Sequence, residues 1–585
     1  MSKIFQKGRH THSLVGIGPN ALDNHPHTNC HYADDTILFL KADNTNIENA
    51  WWALFAFEAL SGIKVNYTKT SMYSINTPDI TPYALIFQCT SSSFPMHYLG
   101  LPLHTQKLRK KDWFFLIDKI EKRLQNWKGS LLSIGGRVTL LNSVLSSIPL
   151  YFLSVYKIPK FVIKKIDQIR CRFLWQGTTE KRKYSLINWQ TACLAKEFGG
   201  LGIIDLTQMN ISLLLKWWWK LKDPSYSSAW KHMLFSKYNL ITSSTPISEF
   251  WSAITSLHNL GTASIEVVPG RHTNVLFWTD IWYQQCTMAT RFPYLYEICT
   301  NSALTLQQVI NSQGGAIKFR RSLFGILHTE WLEVLEIISH LSFTHLEDQL
   351  SWRWDAQGKF TVRSLYKFLN YRGITPRNAM RWWKIPIPLK IRIFMWLAHK
   401  NRILTTDNLL KRGWQGQNKC QFCHQPESIN HLFVTCTFAR QIWFFMGACQ
   451  HINVHWVKIS DIIHFAHQLP TAQRTAFLLV YSAICWTIWK HRNELCFNSG
   501  KVKSVRQMIL LIISLVTYWT GQVNQQVKDS TALWLPVNLD AIPLAVWSPE
   551  EEMEDTPAIQ VLTVPGAQDE TGTQMVLYDE ANLVC

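Results

Sequence analysis

Beyond Lys528 the chain has no lysine or arginine, and eleven of its 40 acidic residues lie there. All 59 basic residues therefore fall in 1–528, which carries +30, against −11 for the last 57 residues. No apolar run reaches the ~20 residues of a membrane-spanning helix. The longest, "AFLLVYSAICWTIW" (476–489) and "MILLIISLVTYW" (508–519), are expected to be core helices. The start, "MSKIFQKGRH", is basic but lacks the apolar stretch of a secretory leader. The thirteen cysteines show no regular framework. This argues against a secreted disulfide scaffold and for an intracellular chain, in nucleus or cytoplasm. There are no internal repeats, and the two glycines of "VGIGPN" (15–20) make a turn rather than a phosphate loop.

What is present is a body rich in tryptophan (27) and positive charge. A chain with 47% hydrophobic residues can bury sizeable cores, and an excess of +30 favours a polyanionic partner, most simply nucleic acid. The plain alternative is a well-solvated surface. Residues 1–30 read as a polar loop and 31–40 as strand–turn–strand. Residues 50–66 read as a helix stopped by Gly62 and followed by a strand, and 96–104 as a short hairpin. Trp113, Leu116, Ile117, Ile120, Leu124 and Trp127 share one helical face, with Lys119, Lys122, Arg123 and Lys128 on the other. Further helices are expected over 135–160, broken near Pro149, and over 161–177, with Val162, Ile163, Ile166, Ile169 and Phe173 on one side. Residues 222–350 are weakly periodic, 387–414 are helical and basic, and helices continue to about 520. The acidic block "PEEEMEDTP" (549–557) is expected to stay unstructured.

Two sites carry chemistry. In "HYADDTILFL" (31–40), Asp34 and Asp35 put two like charges inside an apolar segment. Such a pair is costly unless a cation compensates it, and Mg²⁺ is held by one or two carboxylates plus phosphate oxygens. An exposed Asp-Asp hairpin turn is the alternative. The second site is "CQFCHQPESINHLFVTC", with Cys420, Cys423, His431 and Cys436 in a C-x2-C-x7-H-x4-C arrangement and His424 as a competing ligand. Three thiolates and an imidazole form a closed tetrahedral set for structural Zn²⁺. Around it stand Arg381, Trp382, Trp383, Lys384, Lys390, Arg392, Trp396, Lys400, Arg402, Lys411, Arg412 and Trp414. Cations neutralise phosphates and aromatics stack on unpaired bases. Equally, the tryptophans could be core and the charges a solvated face.

Several motifs, in order, carry a resemblance. They are Tyr32-Ala33-Asp34-Asp35, "SGIKVNYTKT" (61–70), "YLGLPL" (98–103), "LQNWKGSLLSIGGRVTLLNSVLSSIPLYFLSVYKIP" (124–159), "GGLGIIDL" (199–206), "FWTDIW" (277–282), "KIPIPLKIRIFMWLAHKNRILTTDNLLKRGW" (384–414) and "IWKHRNELCFN" (488–498). Over most of 14–500 the sequence resembles the reverse transcriptases of plant non-LTR (LINE-type) retroelements, including their zinc-binding domain. The resemblance implies an α+β, predominantly helical fold made of a remnant of a polymerase palm, a helical thumb and connection, and a small helical zinc-binding domain. The domains it implies are a partial palm with primer grip (1–105), thumb (106–225), connection (226–350), zinc-binding domain (351–450), C-terminal helices (451–528) and an acidic tail (529–585). It makes Asp34 and Asp35 ligands of catalytic Mg²⁺ in two-metal nucleotidyl transfer. It places Tyr32 near the incoming nucleotide, Lys69 beside the departing pyrophosphate (or on a plain surface), and Tyr98, Leu99 and Gly100 in the primer grip. The implied partners are RNA and an RNA/DNA primer–template, with no membrane.

One departure weakens the catalytic expectation. The family's third metal-binding Asp, its fingers and its nucleotide-pocket motif precede the Asp-Asp hairpin by a hundred residues or more, whereas thirty residues precede it here. Asp23, in "NALDNHPH", does not match the missing motif. The expectation is a truncated RNA-directed DNA polymerase, inactive alone unless an intact reverse transcriptase partner supplies the missing palm. The alternative is a non-catalytic, zinc-dependent protein that binds RNA or single-stranded nucleic acid.

Overall fold

In the computed structural model, residues 1–17, 28–125, 127, 129–177, 183–223, 226–238, 247–270, 273, 275–284, 286–341, 348–373, 381–423, 425–448, 456–498, 500–521, 523–536 and 542 are described. Helices dominate, and the strands form five two-stranded sheets, four antiparallel and one parallel. Among the described residues no helix is long and apolar enough to cross a membrane. The chain divides into two compact units, one of Met1–Lys119, Pro149–Ile163 and Leu206–Asn370, the other of Ile120–Ile148, Lys164–Asp205 and Tyr371 onward.

The first unit opens with a helix, Ser2–His10, where the sequence reads as loop. Few apolar residues mark this helix, yet Phe5 is fully buried against Ile47, Ala50, Leu54 and Phe87. Helix Asn44–Ser61 is N-capped by the Asp43 carboxylate and ends at Gly62, whose φ of +71° suits only glycine at little cost. The strand expected directly after Gly62 starts later, at Ser71–Tyr73, behind a 3₁₀ turn, Tyr67–Lys69. A larger core gathers Leu215, Trp218, Phe277, Trp278, Trp282, Leu295, Val334, Trp352 and Leu365. The weakly periodic stretch 222–350 thus contributes short helices and strand pairs to this core. Asn210 fixes the return of the chain, donating to the Leu153 and Tyr156 carbonyls (2.7 and 2.8 Å) and accepting from the Ile158 N–H (3.1 Å).

The second unit is built on the helix Thr471–Phe497, buried almost all round from Ala476 to Trp489. Such a helix is a core element. Leu389–His399 is similar, with Ile391 and Ile393 through Ala398 all buried. Trp382, Trp383 and Trp396 lie 4%, 8% and 3% exposed in the same core. Their basic neighbours had made base stacking an option, and this burial removes it. The ordered body also extends past the expected limit of 528. A helix spans Gln525–Ala532, and Trp534 packs on Phe477 with ring centroids 4.8 Å apart. The expected faces of 113–127 and 161–177 are the buried ones: Trp113, Leu116, Ile117 and Ile120, then Val162, Ile163, Ile166, Ile169 and Phe173. Asp23, Lys128, His424 and the block 549–557 lie outside the described residues.

Candidate metal centre

Cys420 and Cys423 flank a loop whose Cys420 N–H donates to the Gln425 carbonyl at 3.0 Å. His431 opens a single π-helical turn, His431–Thr435, and the Cys436 N–H closes it on the His431 carbonyl at 2.8 Å. That turn brings two residues five apart onto one side. The four ligand atoms all lie within 4.8 Å of one another, and all four residues are largely or wholly withdrawn from solvent. Cys420 Sγ and Cys423 Sγ stand 3.9 and 3.8 Å from Cys436 Sγ, and Cys423 Sγ stands 3.1 Å from His431 Nε2. A tetrahedron of thiolates about 2.3 Å from Zn²⁺ has edges of about 3.8 Å, so the sulfur separations fit a zinc ion. They are far too long for a disulfide, whose sulfurs lie about 2.05 Å apart.

The electrostatics agree. Hydrogen bonds from Cys420 and Cys436 pull the Cys423 thiol far below the usual thiol range, against the effect of burial. The same hydrogen bonds, then burial, push Cys420 far up. At Cys436 the contact with Cys420 pulls down, but Cys423 and burial prevail and push it up to about 12. Three packed thiols without a cation thus carry one negative charge among them. A divalent ion would be held by Cys420, Cys423, His431 and Cys436, and would stabilise all three as thiolates. With four protein ligands no position is left for substrate, so the site is structural.

A feature that the sequence reading missed holds this loop in place. Glu427, between Cys423 and His431, is 0% exposed and forms a two-pronged pair with Arg492, at 2.7 Å to Nη2 and 3.1 Å to Nε. Glu427 Oε1 also accepts the Thr406 N–H at 2.9 Å, and the Glu427 N–H donates to Asn418 Oδ1 at 3.0 Å. Phe422 stacks on Phe438 at 4.6 Å and packs against the His491 ring at 5.5 Å. The only hint in sequence was "IWKHRNELCFN", to which no chemistry could be given.

The aspartate pair sits differently. Asn29–Tyr32 and Asp35–Leu38 form an antiparallel hairpin with Tyr32 opposite Asp35, so the turn is Ala33-Asp34, with Ala33 at φ +52°. Tyr32, Asp34 and Asp35 are all exposed, Tyr32 at 65%. Lys69 ends its 3₁₀ turn on the surface. The hairpin Met96–Tyr98/Leu101–Leu103 turns at Leu99-Gly100, both with positive φ, as a two-residue turn of this kind requires. The Tyr151 hydroxyl donates to the Leu99 carbonyl at 2.9 Å and the Tyr156 hydroxyl to Pro102 at 2.7 Å. Tyr98 is close enough to feel Cys30 and Asp35, which, after burial, raise its hydroxyl above the usual range. The structure therefore brings Tyr98 toward Asp35. Among the described residues, however, Cys420, Cys423, His431 and Cys436 are the one group of three or more metal-ligating side chains. No third ligand joins Asp34 and Asp35 there.

Around the zinc loop the cations differ from one another. Arg392 is turned inward and donates to the Ile387 and Trp383 carbonyls (2.8 and 3.1 Å). Lys411 pairs with Asp407 at 3.2 Å. Lys384, Lys400 and Arg402 are exposed.

Comparison with known proteins bears on this region first. Residues 360–443 match the family described as zinc-binding in reverse transcriptase. An Arabidopsis thaliana protein named "Putative ribonuclease H protein" is 27% identical over 361 residues, covering 59% of this chain and 57% of that protein. A second, an uncharacterized mitochondrial protein of Arabidopsis thaliana, is 38% identical over 71 residues, covering 12% of this chain and 46% of that protein. The chain spans about half the length of the curated relatives it matches. The match and the Cys/His geometry together support a reverse transcriptase-related chain with a structural zinc site.

Proposed function

We propose that this chain is a LINE-type reverse transcriptase derivative that acts as a zinc-dependent nucleic-acid-binding protein, without polymerising on its own. The observation that carries this reading is the contrast between the two candidate sites. The Cys420, Cys423, His431 and Cys436 set is closed, buried and braced by a buried ion pair. The Asp34–Asp35 hairpin is exposed, and no third ligand joins it among the described residues. Two-metal nucleotidyl transfer needs carboxylates fixed around both ions. Two carboxylates on the tip of a two-stranded hairpin hold an ion only with help from substrate phosphates.

In this reading Asp34 and Asp35 keep the ancestral position of Mg²⁺ ligands. Tyr32 and Lys69 keep the positions that face a nucleotide, and Tyr98, Leu99 and Gly100 keep the primer-grip turn. The basic body, +30 over residues 1–528, supplies affinity for RNA or an RNA/DNA primer–template. The test is primer extension by the full chain with RNA template, DNA primer, dNTPs and Mg²⁺, beside an Asp34→Ala/Asp35→Ala double variant. The reading predicts a bound primer–template and no extension by either protein. Extension that disappears in the double variant would overturn it and would mean that another carboxylate completes the site.

A further inference from the structure

Within the second unit, three cations gather where two helices end. Helix Leu389–His399 stops at Lys400, and Asn401 takes a left-handed φ of +53°, turning the chain so that the Arg402 N–H returns to the Leu397 carbonyl at 2.9 Å. Buried Asn408 staples this turn to helix Thr406–Leu410. Its amide donates to Asn401 Oδ1 at 3.0 Å and to the Ile403 carbonyl at 3.0 Å. Arg412 follows that helix. Its guanidinium lies 5.4 Å from the Tyr184 ring centroid and donates to the Ser185 and Leu186 carbonyls at 3.2 and 3.4 Å. Those bonds use two of five guanidinium N–H groups, leaving three for an incoming acceptor.

The charge balance of this corner is unusual. Among the described residues neither Lys400 nor Arg402 has an ion pair. The neighbouring acid, Asp407, is already taken by Lys411 and by the Thr405 hydroxyl. Lys400 and Arg412 each hold their protons less tightly than usual, through burial first and the Arg402 charge second. Favourable helix-end electrostatics explain a cation at Lys400 but fall off within a turn, so they do not account for Arg402 and Arg412. Like charges held together by a fixed backbone, without a carboxylate among them, gain most from an external anion. Tyr184, 40% exposed, stands beside the guanidinium, and an aromatic next to a cationic strip suits unpaired bases rather than a duplex.

We propose that Lys400, Arg402 and Arg412, with Tyr184 beside them, form a phosphodiester-binding surface for single-stranded nucleic acid. Arg412 is held in one geometry and reads a phosphate oxygen as a positioned donor. Lys400 and Arg402 supply mobile charge to the adjoining phosphates. This rests on the nucleic-acid-binding reading above and assigns that binding to one corner of the molecule.

The test uses the full zinc-loaded chain and a fluorescein-labelled, mixed-sequence single-stranded RNA of about thirty nucleotides, followed by anisotropy across a salt series. The variant is Lys400→Glu/Arg402→Glu, both side chains being exposed. The control, Lys490→Glu/Lys501→Glu, makes the same charge change at two other exposed positions of the unit. Zinc content and melting temperature report that both fold. The expected result is a loss of roughly tenfold or more at physiological salt for the first pair. The slope of log affinity on log salt should become shallower by about 1.4, the value for two phosphate contacts on a single strand. The control should keep both within twofold. Tyr184→Ala should weaken single-stranded RNA binding while leaving duplex binding as it is. Equal losses in the two charge variants would overturn the proposal by showing that only net charge matters. An unchanged first pair in a chain that binds RNA would overturn it alone. Absence of RNA binding by the unaltered chain would overturn it together with the nucleic-acid-binding reading.

Discussion

Replacing Arg492 with methionine keeps most of the side chain's volume and removes its charge. Glu427, 0% exposed, then loses both guanidinium contacts, at 2.7 and 3.1 Å, and keeps only the Thr406 N–H at 2.9 Å. Breaking a fully buried pair from one side costs about 3–5 kcal/mol, because a desolvated charge remains. For a cooperative unit of this size that is a fall of roughly 6–20 °C in melting temperature. Glu427 lies inside the zinc loop, so the loss should also be seen as faster zinc release to a chelator. The companion variant, Arg492→Met with Glu427→Gln, removes both charges and keeps an acceptor for Thr406. It should recover most of the loss, to within about 2 kcal/mol of the parent. Differential scanning calorimetry of the zinc-loaded chain and a colorimetric zinc-release assay read both quantities. If the single variant loses under about 1 kcal/mol, or the double loses as much as the single, the pair does not brace the loop and the reasoning fails.

Three further outcomes are expected. Zinc uptake at neutral pH should release about two protons, because Cys420 and Cys436 are raised and start as thiols while Cys423 is lowered and starts as thiolate. Apparent affinity should then climb with pH through neutrality, and calorimetry in buffers of different ionisation enthalpy counts the protons. Trp382→Ala should cost about 3–5 kcal/mol, as loss of a large core aromatic does, while RNA affinity per folded molecule stays unchanged; reduced affinity in the folded variant would return this ring to the binding surface. Tyr151→Phe should cost about 1 kcal/mol and speed amide exchange at the Leu99-Gly100 turn, whose Leu99 carbonyl loses its donor; unaltered exchange would mean that the turn is held without it.

Periodicity made much of this molecule legible. The faces of 113–127 and 161–177 were readable because a helix repeats every 3.6 residues and their apolar positions keep that interval. The zinc site was readable because two cysteines two apart, followed by His and Cys, have few other uses. Ser2–His10 was not readable, since one buried Phe5 carries its packing and a single residue has no period. Tryptophans beside lysines and arginines were ambiguous for a related reason. Neighbours in a helix point to different faces, so Trp396 can lie in the core while Lys400 stands in solvent. The Glu427–Arg492 pair spans 65 residues of sequence, and two single charges so far apart announce nothing until the fold joins them. The limit of the ordered body was placed at the change of charge after Lys528, but Trp534 packs into the core beyond it, because burial follows apolar surface and not net charge.

The central claim is that zinc holds the part of the chain that binds nucleic acid, independently of the aspartate pair. Its most direct test is RNA affinity of the full chain before zinc removal, after it, and after zinc is restored, with the Asp34→Ala/Asp35→Ala variant alongside. The account predicts that binding is lost with zinc, returns with zinc, and is the same in both proteins. Binding that survives zinc removal, or that falls when only Asp34 and Asp35 are replaced, would contradict it.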